Sequence, residues 1–170
     1  MKQTAIAICL LLGFLFSFTL SACLHPEESV YDALNDYSQI VTGDIPTDLC
    51  LTIYYIDPNI LTRAPVSTED LMTFPDVKIT VIESVELAEH LALLRKLDAS
   101  VIKPLDEEPY VNARLCYVFE MESGSKLLEV TINDINGRVF INGYEVEHNP
   151  IFYEIIAPFL SEEDHIVLGF

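Results

Sequence analysis

Hydrophobic residues recur along this chain in three patterns, and each pattern predicts a different kind of segment. The first is a continuous apolar run over Ala5–Leu20. The second is an apolar position at every third or fourth residue, which predicts amphipathic helices over Val30–Val41 and Val85–Leu97. Ser84 precedes the second helix and is expected to cap its N-terminus.

The third pattern is the alternation of a β-strand. Asp48–Ile56 is largely apolar on both faces, which predicts a central strand. Val77–Ile82 is short and rich in β-branched residues, so it predicts a second strand. Four more strands are predicted as a meander: Ala113–Met121, Leu127–Asn133, Arg138–Ile141 and Tyr144–Glu147. The dipeptides Asn136-Gly137 and Asn142-Gly143 favour tight hairpin turns within it.

Turn and cap signals complete the expected fold. Ser67–Leu71 predicts a single helical turn, and Asp98–Tyr110 reads as an exposed loop with two prolines and an acidic cluster. Asn149-Pro150 starts a closing helix that Pro158 is expected to end. The order of elements predicts one α+β domain over residues 29–170. Its sheet is mainly antiparallel, with a C-terminal meander, and its helices pack on one face.

The motif Leu20-Ser21-Ala22-Cys23 follows the long apolar run and resembles the lipobox of bacterial lipoproteins. That resemblance implies a signal peptide over residues 1–22 and a diacylglyceryl group on Cys23, which becomes the mature N-terminus. Residues 23–28 would form a short tether, and the domain would be lipid-anchored on the extracytoplasmic face of the cell membrane. Two alternatives are an uncleaved anchor helix and a signal cleaved elsewhere.

A second resemblance covers about half of the chain. Val77–Leu160 is similar to a pattern found in small uncharacterised lipoproteins of Firmicutes. In that pattern a β-segment and a capped helix precede a strand meander with a turn like Ile141-Asn142-Gly143, and a helix closes the domain. The resemblance concerns structure alone and implies no catalytic residue.

Charge limits the partners that this domain can bind. Removal of residues 1–22 takes away one basic residue, Lys2, and no acidic one, so the net charge changes from −18 to −19. Such a charge repels polyanions, which disfavours nucleic acid. A cationic protein or cell-wall partner is compatible with it.

Cys50 and Cys116 are the two cysteines left if Cys9 leaves with the signal peptide and Cys23 carries lipid. Each lies in a predicted strand, so a disulfide can form if the two strands are neighbours. Alternatively both thiols stay reduced and buried as small apolar side chains. A catalytic or metal-binding role is the third alternative.

No strong catalytic, metal or cofactor motif occurs in the sequence, so we expect no metal and no cofactor. The four histidines are far apart in sequence: His25, His90, His148 and His165. Glu83, Glu86 and Glu89 are spaced three residues apart, which fits a solvated helix face or a weak divalent-cation site. Residues 133–137 fit a hairpin better than a calcium loop.

These observations favour a lipid-anchored envelope domain that binds a partner without catalysing a reaction. One alternative is a regulatory or sensor lipoprotein. The other is a small hydrolase or metal-dependent enzyme, in which Glu83 or Asp134 would have to meet His90 or His148 in a cleft.

Overall fold

The computed structural model describes residues 26–43, 45–57, 59–74, 76–105, 111–133 and 137–168. Within these ranges six strands form one antiparallel sheet in the order β2-β1-β3-β4-β5-β6. The strands are β1 Leu49–Tyr55, β2 Lys78–Glu83, β3 Ala113–Met121, β4 Lys126–Asn133, β5 Val139–Ile141 and β6 Tyr144–Val146. The predicted antiparallel sheet and the α+β class are confirmed.

The helices of the described ranges are mostly short. They are α1 Pro26–Thr42, α2 Thr68–Thr73, α3 Ser84–Glu89, α4 Leu91–Leu94, α5 Ile151–Glu154 and α6 Glu162–Leu168, with a 3-10 turn at Ala157–Phe159. Helix α1 begins at Pro26, so residues 26–28 of the predicted tether are helical. No helix within the described ranges is both long enough and apolar enough to cross a membrane.

Strand β1 is buried on both faces and paired on both sides, as its sequence predicts. Leu51 pairs with Ile82 of β2 on one side and with Phe119 of β3 on the other. All three side chains are buried in the main core, which also takes in apolar residues from α1, α3, α4 and α5. This core stabilises the fold through the apolar surface that it removes from water.

The opposite face of the sheet carries a smaller core. Helix α2 packs there, and its Leu71 lies with Cys116 and Val118 of β3. The hydroxyls of Thr68 and Thr131 are 3.0 Å apart on the same face. The expectation that helices pack on one face therefore holds for the elements of the main core, whereas α2 lies on the other side.

The helix predicted over Val85–Leu97 is divided at His90. Its backbone leaves the helical region there (φ −107°, ψ 15°), so α3 and α4 are separate. The His90 ring packs edge-on against Phe159, with ring centroids 5.0 Å apart. A contact from the far end of the chain thus overrides the helical pattern.

Two side chains near this break bond to other parts of the chain, and Ser84 differs in this from the prediction. Ser84 does not cap its helix, because its hydroxyl donates a hydrogen bond to the Thr47 carbonyl at 2.9 Å. Arg95 lies just after α4, yet its guanidinium donates to the carbonyls of Val41 and Thr42 at 2.7 and 2.9 Å. Arg95 therefore satisfies the open C-terminus of α1, where a cation also suits the helix dipole.

The segment predicted as an exposed loop, Asp98–Tyr110, is partly an extension of the sheet. Leu105 donates its N–H to the Glu145 carbonyl at 2.9 Å, and Glu147 donates to the Lys103 carbonyl at 2.8 Å. Ile102 is buried in the main core. The loop prediction therefore holds for residues 98–101, which form turns with Val101 exposed, and is wrong for residues 102–105, which lie against β6. Residues 106–110 lie outside the described ranges.

The C-terminal part contains one helix that the sequence pattern did not predict. Helix α5 ends at Glu154, ahead of Pro158, which lies in the 3-10 turn. Helix α6 follows and begins at Glu162. The hydroxyl of the preceding residue, Ser161, accepts a hydrogen bond from the Asp164 N–H at 3.2 Å. Ile151, Ile155 and Phe159 lie in the main core.

The hairpin prediction is confirmed at Asn142-Gly143, where both residues have positive φ values of 47° and 85°. Asn133 donates its N–H to the Arg138 carbonyl at 3.0 Å, which is the closing bond of a hairpin. Gly137 also has positive φ, at 58°. Asn136 and Asp134 lie outside the described residues.

Candidate interaction surface

Strand β2 lies at the edge of the sheet and pairs with β1 alone. Two of its apolar side chains face solvent, with Ile79 54% exposed and Val81 61% exposed. Its charged residues, Lys78 and Glu83, stand at its two ends. The middle of the strand therefore lacks the charges, prolines and bulges with which edge strands are usually protected from pairing.

The register places these side chains on one continuous surface. Ile79 pairs with Tyr54 and Val81 with Thr52, so all four lie on the sheet face opposite the main core. Tyr54 is half-buried and packs against the smaller core beneath α2. The exposed residues of β2 thus extend an existing apolar cluster to the edge of the sheet. We call Cys50, Tyr54, Ile79 and Val81 the edge surface.

Carboxylates surround one end of the edge surface. Cys50 pairs with Glu83 of β2 and with Glu120 of β3, so an acidic side chain flanks it on each side. The Cys50 thiol lies 3.9 Å from Glu120 Oε1. Burial raises the pKa of this thiol, and the charges of Glu120 and Glu122 raise it further. The local potential at this end is therefore negative.

Next to Tyr54 and Ile79 along the strands, but on the main-core face of the sheet, a polar cluster holds α6 against β1 and β2. The Tyr55 hydroxyl donates a hydrogen bond to the Asp164 carboxylate, and Lys78 Nζ lies 3.3 Å from the same group. The Ser161 hydroxyl donates to Asp164 at 2.7 Å. These donors, with Tyr55 first, lower the pKa of Asp164 to about 2. The charge of Lys78 is consequently paired with a carboxylate.

The two predicted strand cysteines do not meet, although they lie on the same face of neighbouring strands. Cys50 pairs with Glu120, whereas Cys116 pairs with Tyr54, four residues further along β1. That offset is about 13 Å at the rise of a strand, and a disulfide needs Cα atoms within about 7 Å. Both cysteines are free in the structure. The geometry therefore disfavours the disulfide and favours the reduced pair.

The histidines and acids considered for catalysis are dispersed. Glu83 and His90 flank opposite ends of α3, about 10 Å apart at the rise of a helix. His148 Nδ1 lies 3.3 Å from the Gly137 carbonyl, and His165 Nε2 lies 2.9 Å from the Ala157 carbonyl. His25 and Asp134 lie outside the described residues. His148 and His165 therefore each contact a backbone carbonyl.

The predicted acidic stripe is solvent-exposed, but its members do not share one helix. Glu83 ends β2, whereas Glu86 and Glu89 belong to α3. All three side chains are exposed. Within the described ranges no group of three or more His, Cys, Asp or Glu side chains is arranged to hold a metal ion.

No protein-family model, no curated protein and no solved structure matches this chain. The edge surface is therefore interpreted from its own geometry and charge. Sequence reasoning identified β2 and Cys50 but missed this surface, because alternation within Val77–Ile82 does not reveal which strand lies at an edge. The one signal available was the lack of charge between Lys78 and Glu83 in a run of β-branched residues.

Proposed function

We propose that this protein is a membrane-anchored extracytoplasmic lipoprotein whose folded domain binds a protein partner. The partner adds one of its own strands to the free edge of β2. Binding at the edge surface, rather than a chemical reaction, is the activity proposed. The single observation that carries the proposal is the exposure of Ile79 and Val81 on an edge strand.

The membrane location is supported by Leu20-Ser21-Ala22-Cys23 and by the apolar run before it. Helix α1 begins three residues after Cys23. Three residues span at most about 10 Å when extended, so a lipid on Cys23 would hold the domain close to the bilayer. A diacylglyceryl group supplies two acyl chains, which is sufficient for stable anchoring.

Strand addition is favoured by the backbone as well as by the side chains. An edge strand presents unpaired N–H and C=O groups, which an extended segment of another chain can satisfy. Apolar residues at alternate positions of that segment would cover Ile79 and Val81 and enlarge the smaller core next to Tyr54. Each covered side chain would contribute to the free energy of binding through the apolar area removed from water.

The charge around the edge surface indicates the chemistry of the partner strand. Glu83 and Glu120 flank Cys50, and the whole protein carries a net charge of −18. Lys or Arg residues near one end of the partner strand would pair with these carboxylates. Such pairs mainly accelerate and orient association, and salt weakens them over a Debye length of about 8 Å.

Site-specific photo-crosslinking in the full-length, membrane-bound protein tests the proposal. A photoreactive residue replaces Val81 in one variant and Val101 in a matched control. Val101 is also exposed, at 47%, but lies in the segment before β3. We expect the probe at position 81 to join a segment with alternating apolar residues and nearby Lys or Arg, identified by mass spectrometry. High salt should reduce its yield.

Two further variants test whether crosslinking requires the edge surface itself. Ile79→Lys with Val81→Lys should abolish that crosslink, because charges on an edge strand oppose pairing. Val101→Lys should preserve it. Equal crosslinking from positions 81 and 101, or an unchanged yield in the double variant, would contradict the proposed site.

A further inference from the structure

We propose that the loop between β1 and α2 contacts the phospholipid bilayer, with Leu61 entering the bilayer interface and Arg63 lying at the lipid phosphates. We call residues 59–65 the contact loop. The proposal rests on the lipid anchor at Cys23, which is part of the proposed function. It goes beyond the anchor because it assigns the part of the folded domain that faces the membrane.

The contact loop presents an exposed apolar side chain from a fixed position. Leu61 is 96% exposed, more than any other large apolar residue in the described ranges. The loop around it is nevertheless held to the domain. The hydroxyl of Thr62 accepts a hydrogen bond from Arg114 Nη2 at 3.3 Å, and Val66 donates its N–H to Asn112 Oδ1 at 3.1 Å. Leu61 therefore projects into solvent from a supported segment.

The contact loop lies at the end of the sheet where β1 finishes. Neighbouring strands run in opposite directions, so the same end of the sheet holds the start of β2, the start of β3 and the end of β6. We call this the Tyr55 end, after the last residue of β1. The opposite end holds the start of β1 and the ends of β2 and β3.

The N-terminal part of helix α1 also lies at the Tyr55 end. Glu147 directly follows β6, and it donates its N–H to the Lys103 carbonyl at 2.8 Å. Lys103 Nζ donates in turn to the Glu147 carboxylate at 2.7 Å. The pKa of Lys103 is raised first by Glu147 and also by Tyr31 of α1, which is therefore close to it. These contacts place the second turn of α1 near the end of β6.

The rest of α1 runs towards the opposite end of the sheet. The rings of Tyr37 and Phe119 have centroids 4.8 Å apart, and Phe119 lies two residues before the end of β3. The proposed lipid on Cys23 is three residues ahead of the first residue of α1. Three residues span at most about 10 Å. The anchor would therefore hold the Tyr55 end, and the contact loop with it, towards the bilayer.

The charge of Arg63 suits the contact loop to lipid headgroups. Arg63 is exposed and, among the described residues, makes neither a hydrogen bond nor an ion pair. Phospholipid headgroups carry phosphate, and guanidinium groups pair well with phosphate oxygens. One leucine and one arginine alone would bind a bilayer weakly. The anchor raises their effective concentration at the membrane, so a weak contact is sufficient to orient the domain.

This orientation directs the acidic end of the edge surface away from the membrane. Strand β2 begins with Lys78 at the Tyr55 end and finishes with Glu83 at the opposite end. Cys50, which pairs with Glu83, lies at that opposite end too. A cationic segment of a partner would then reach these carboxylates without approaching the bilayer.

Tryptophan fluorescence in the full-length, lipidated protein tests the contact, because the chain contains no tryptophan. Leu61→Trp places the reporter in the contact loop. Val85→Trp is the matched control, because Val85 is 75% exposed but follows the end of β2 at the opposite end of the sheet. The variants are placed in nanodiscs of phosphatidylcholine and phosphatidylglycerol, with or without bromine near the headgroup end of the acyl chains. We expect bromine to quench the reporter at position 61 and not the reporter at position 85.

Two further variants, made together with Leu61→Trp, test the role of Arg63. Arg63→Gln should weaken the quenching, whereas Lys96→Gln, which alters an exposed cation outside the contact loop, should preserve it. Unchanged quenching in Arg63→Gln would contradict the phosphate contact. Equal quenching at positions 61 and 85, or none at either in protein that stays anchored, would overturn the contact and leave the anchor intact. A Cys23 without lipid, in protein lost from the nanodiscs, would refute the anchor and the contact together.

Discussion

The Tyr55 hydroxyl donates a hydrogen bond to the Asp164 carboxylate and so joins strand β1 to the last helix of the described chain. Asp164 also receives hydrogen bonds from Ser161 and Lys78, and its side chain is 16% exposed. No residue of helix α6 is fully buried. This polar cluster is therefore a main attachment of α6 to the sheet.

Asp164→Asn should lower the free energy of unfolding by about 1–2 kcal/mol, because it removes charge-assisted hydrogen bonds and weakens the helix cap. The pKa of Asp164 is lowered to about 2 in the folded protein, against about 3.9 in an unfolded chain. Its stabilisation is thus full above pH 4 and is lost as the pH falls towards 2.

Urea unfolding of both proteins at pH 6 and pH 2.5 measures this effect. The difference between wild type and Asp164→Asn should shrink at the lower pH. Glu163→Gln is the matched control, because Glu163 lies 4.0 Å from Lys78 but its side chain is 83% exposed. It should cost less than about 0.5 kcal/mol. A difference for Asp164→Asn that did not vary with pH would contradict the assignment.

Two buried tyrosines should respond oppositely to loss of the hydroxyl. The Tyr37 hydroxyl donates to the Leu94 carbonyl at 3.1 Å, so Tyr37→Phe should lower the free energy of unfolding by about 1 kcal/mol. The Tyr117 hydroxyl is buried and has no hydrogen-bond partner within the described residues. Tyr117→Phe should therefore leave the stability unchanged or raise it by up to about 1 kcal/mol. Equal losses in both variants would refute this contrast.

Cys50 and Cys116 should both be free thiols with different reactivities. Cys50 is partly exposed, whereas burial raises the pKa of Cys116 to about 12, and only the thiolate reacts quickly. Iodoacetamide should therefore modify Cys50 first in the native protein and both residues after unfolding without reductant. Peptide mass spectrometry measures the order. A disulfide-linked pair of these peptides would show that the strand register is different.

Lipidation predicts a mass increase on the peptide that begins at Cys23, because the proposed diacylglyceryl group is covalent. Mass spectrometry of protein extracted from membranes measures it directly. Cys23→Ser should move the protein out of the membrane fraction. If this variant stayed quantitatively in membranes, the apolar run Ala5–Leu20 would itself be the anchor and the lipoprotein proposal would be wrong.

Local patterns were sufficient to predict most strands and several turns. Asp48–Ile56 contains β1 because its two apolar faces need cover on both sides, and Asn142-Gly143 forms a hairpin because its backbone requires positive φ. The helix over Val85–Leu97 was predicted as continuous, because no local sequence pattern predicts that His90 packs on Phe159. Tertiary contacts of this kind override local propensity.

The candidate sites were harder to predict than the fold. The exposure of Ile79 and Val81 depends on strand order, and the placement of β1 between β2 and β3 is a non-local result. A sequence pattern reports which residues alternate, but it does not report which elements become neighbours.

Because β1 pairs with β3, the central part of the sheet cannot form until β3 has been synthesised. During synthesis β1 emerges well before β3, because residues 56–112 separate the two strands. The β3–β6 meander closes through short connections, whereas β1 must wait for a long loop to close. Until then the edge of β1 that pairs with β3 is open to misassociation. The nascent chain should therefore depend on chaperones most strongly after β1 has been synthesised and before β3 has been.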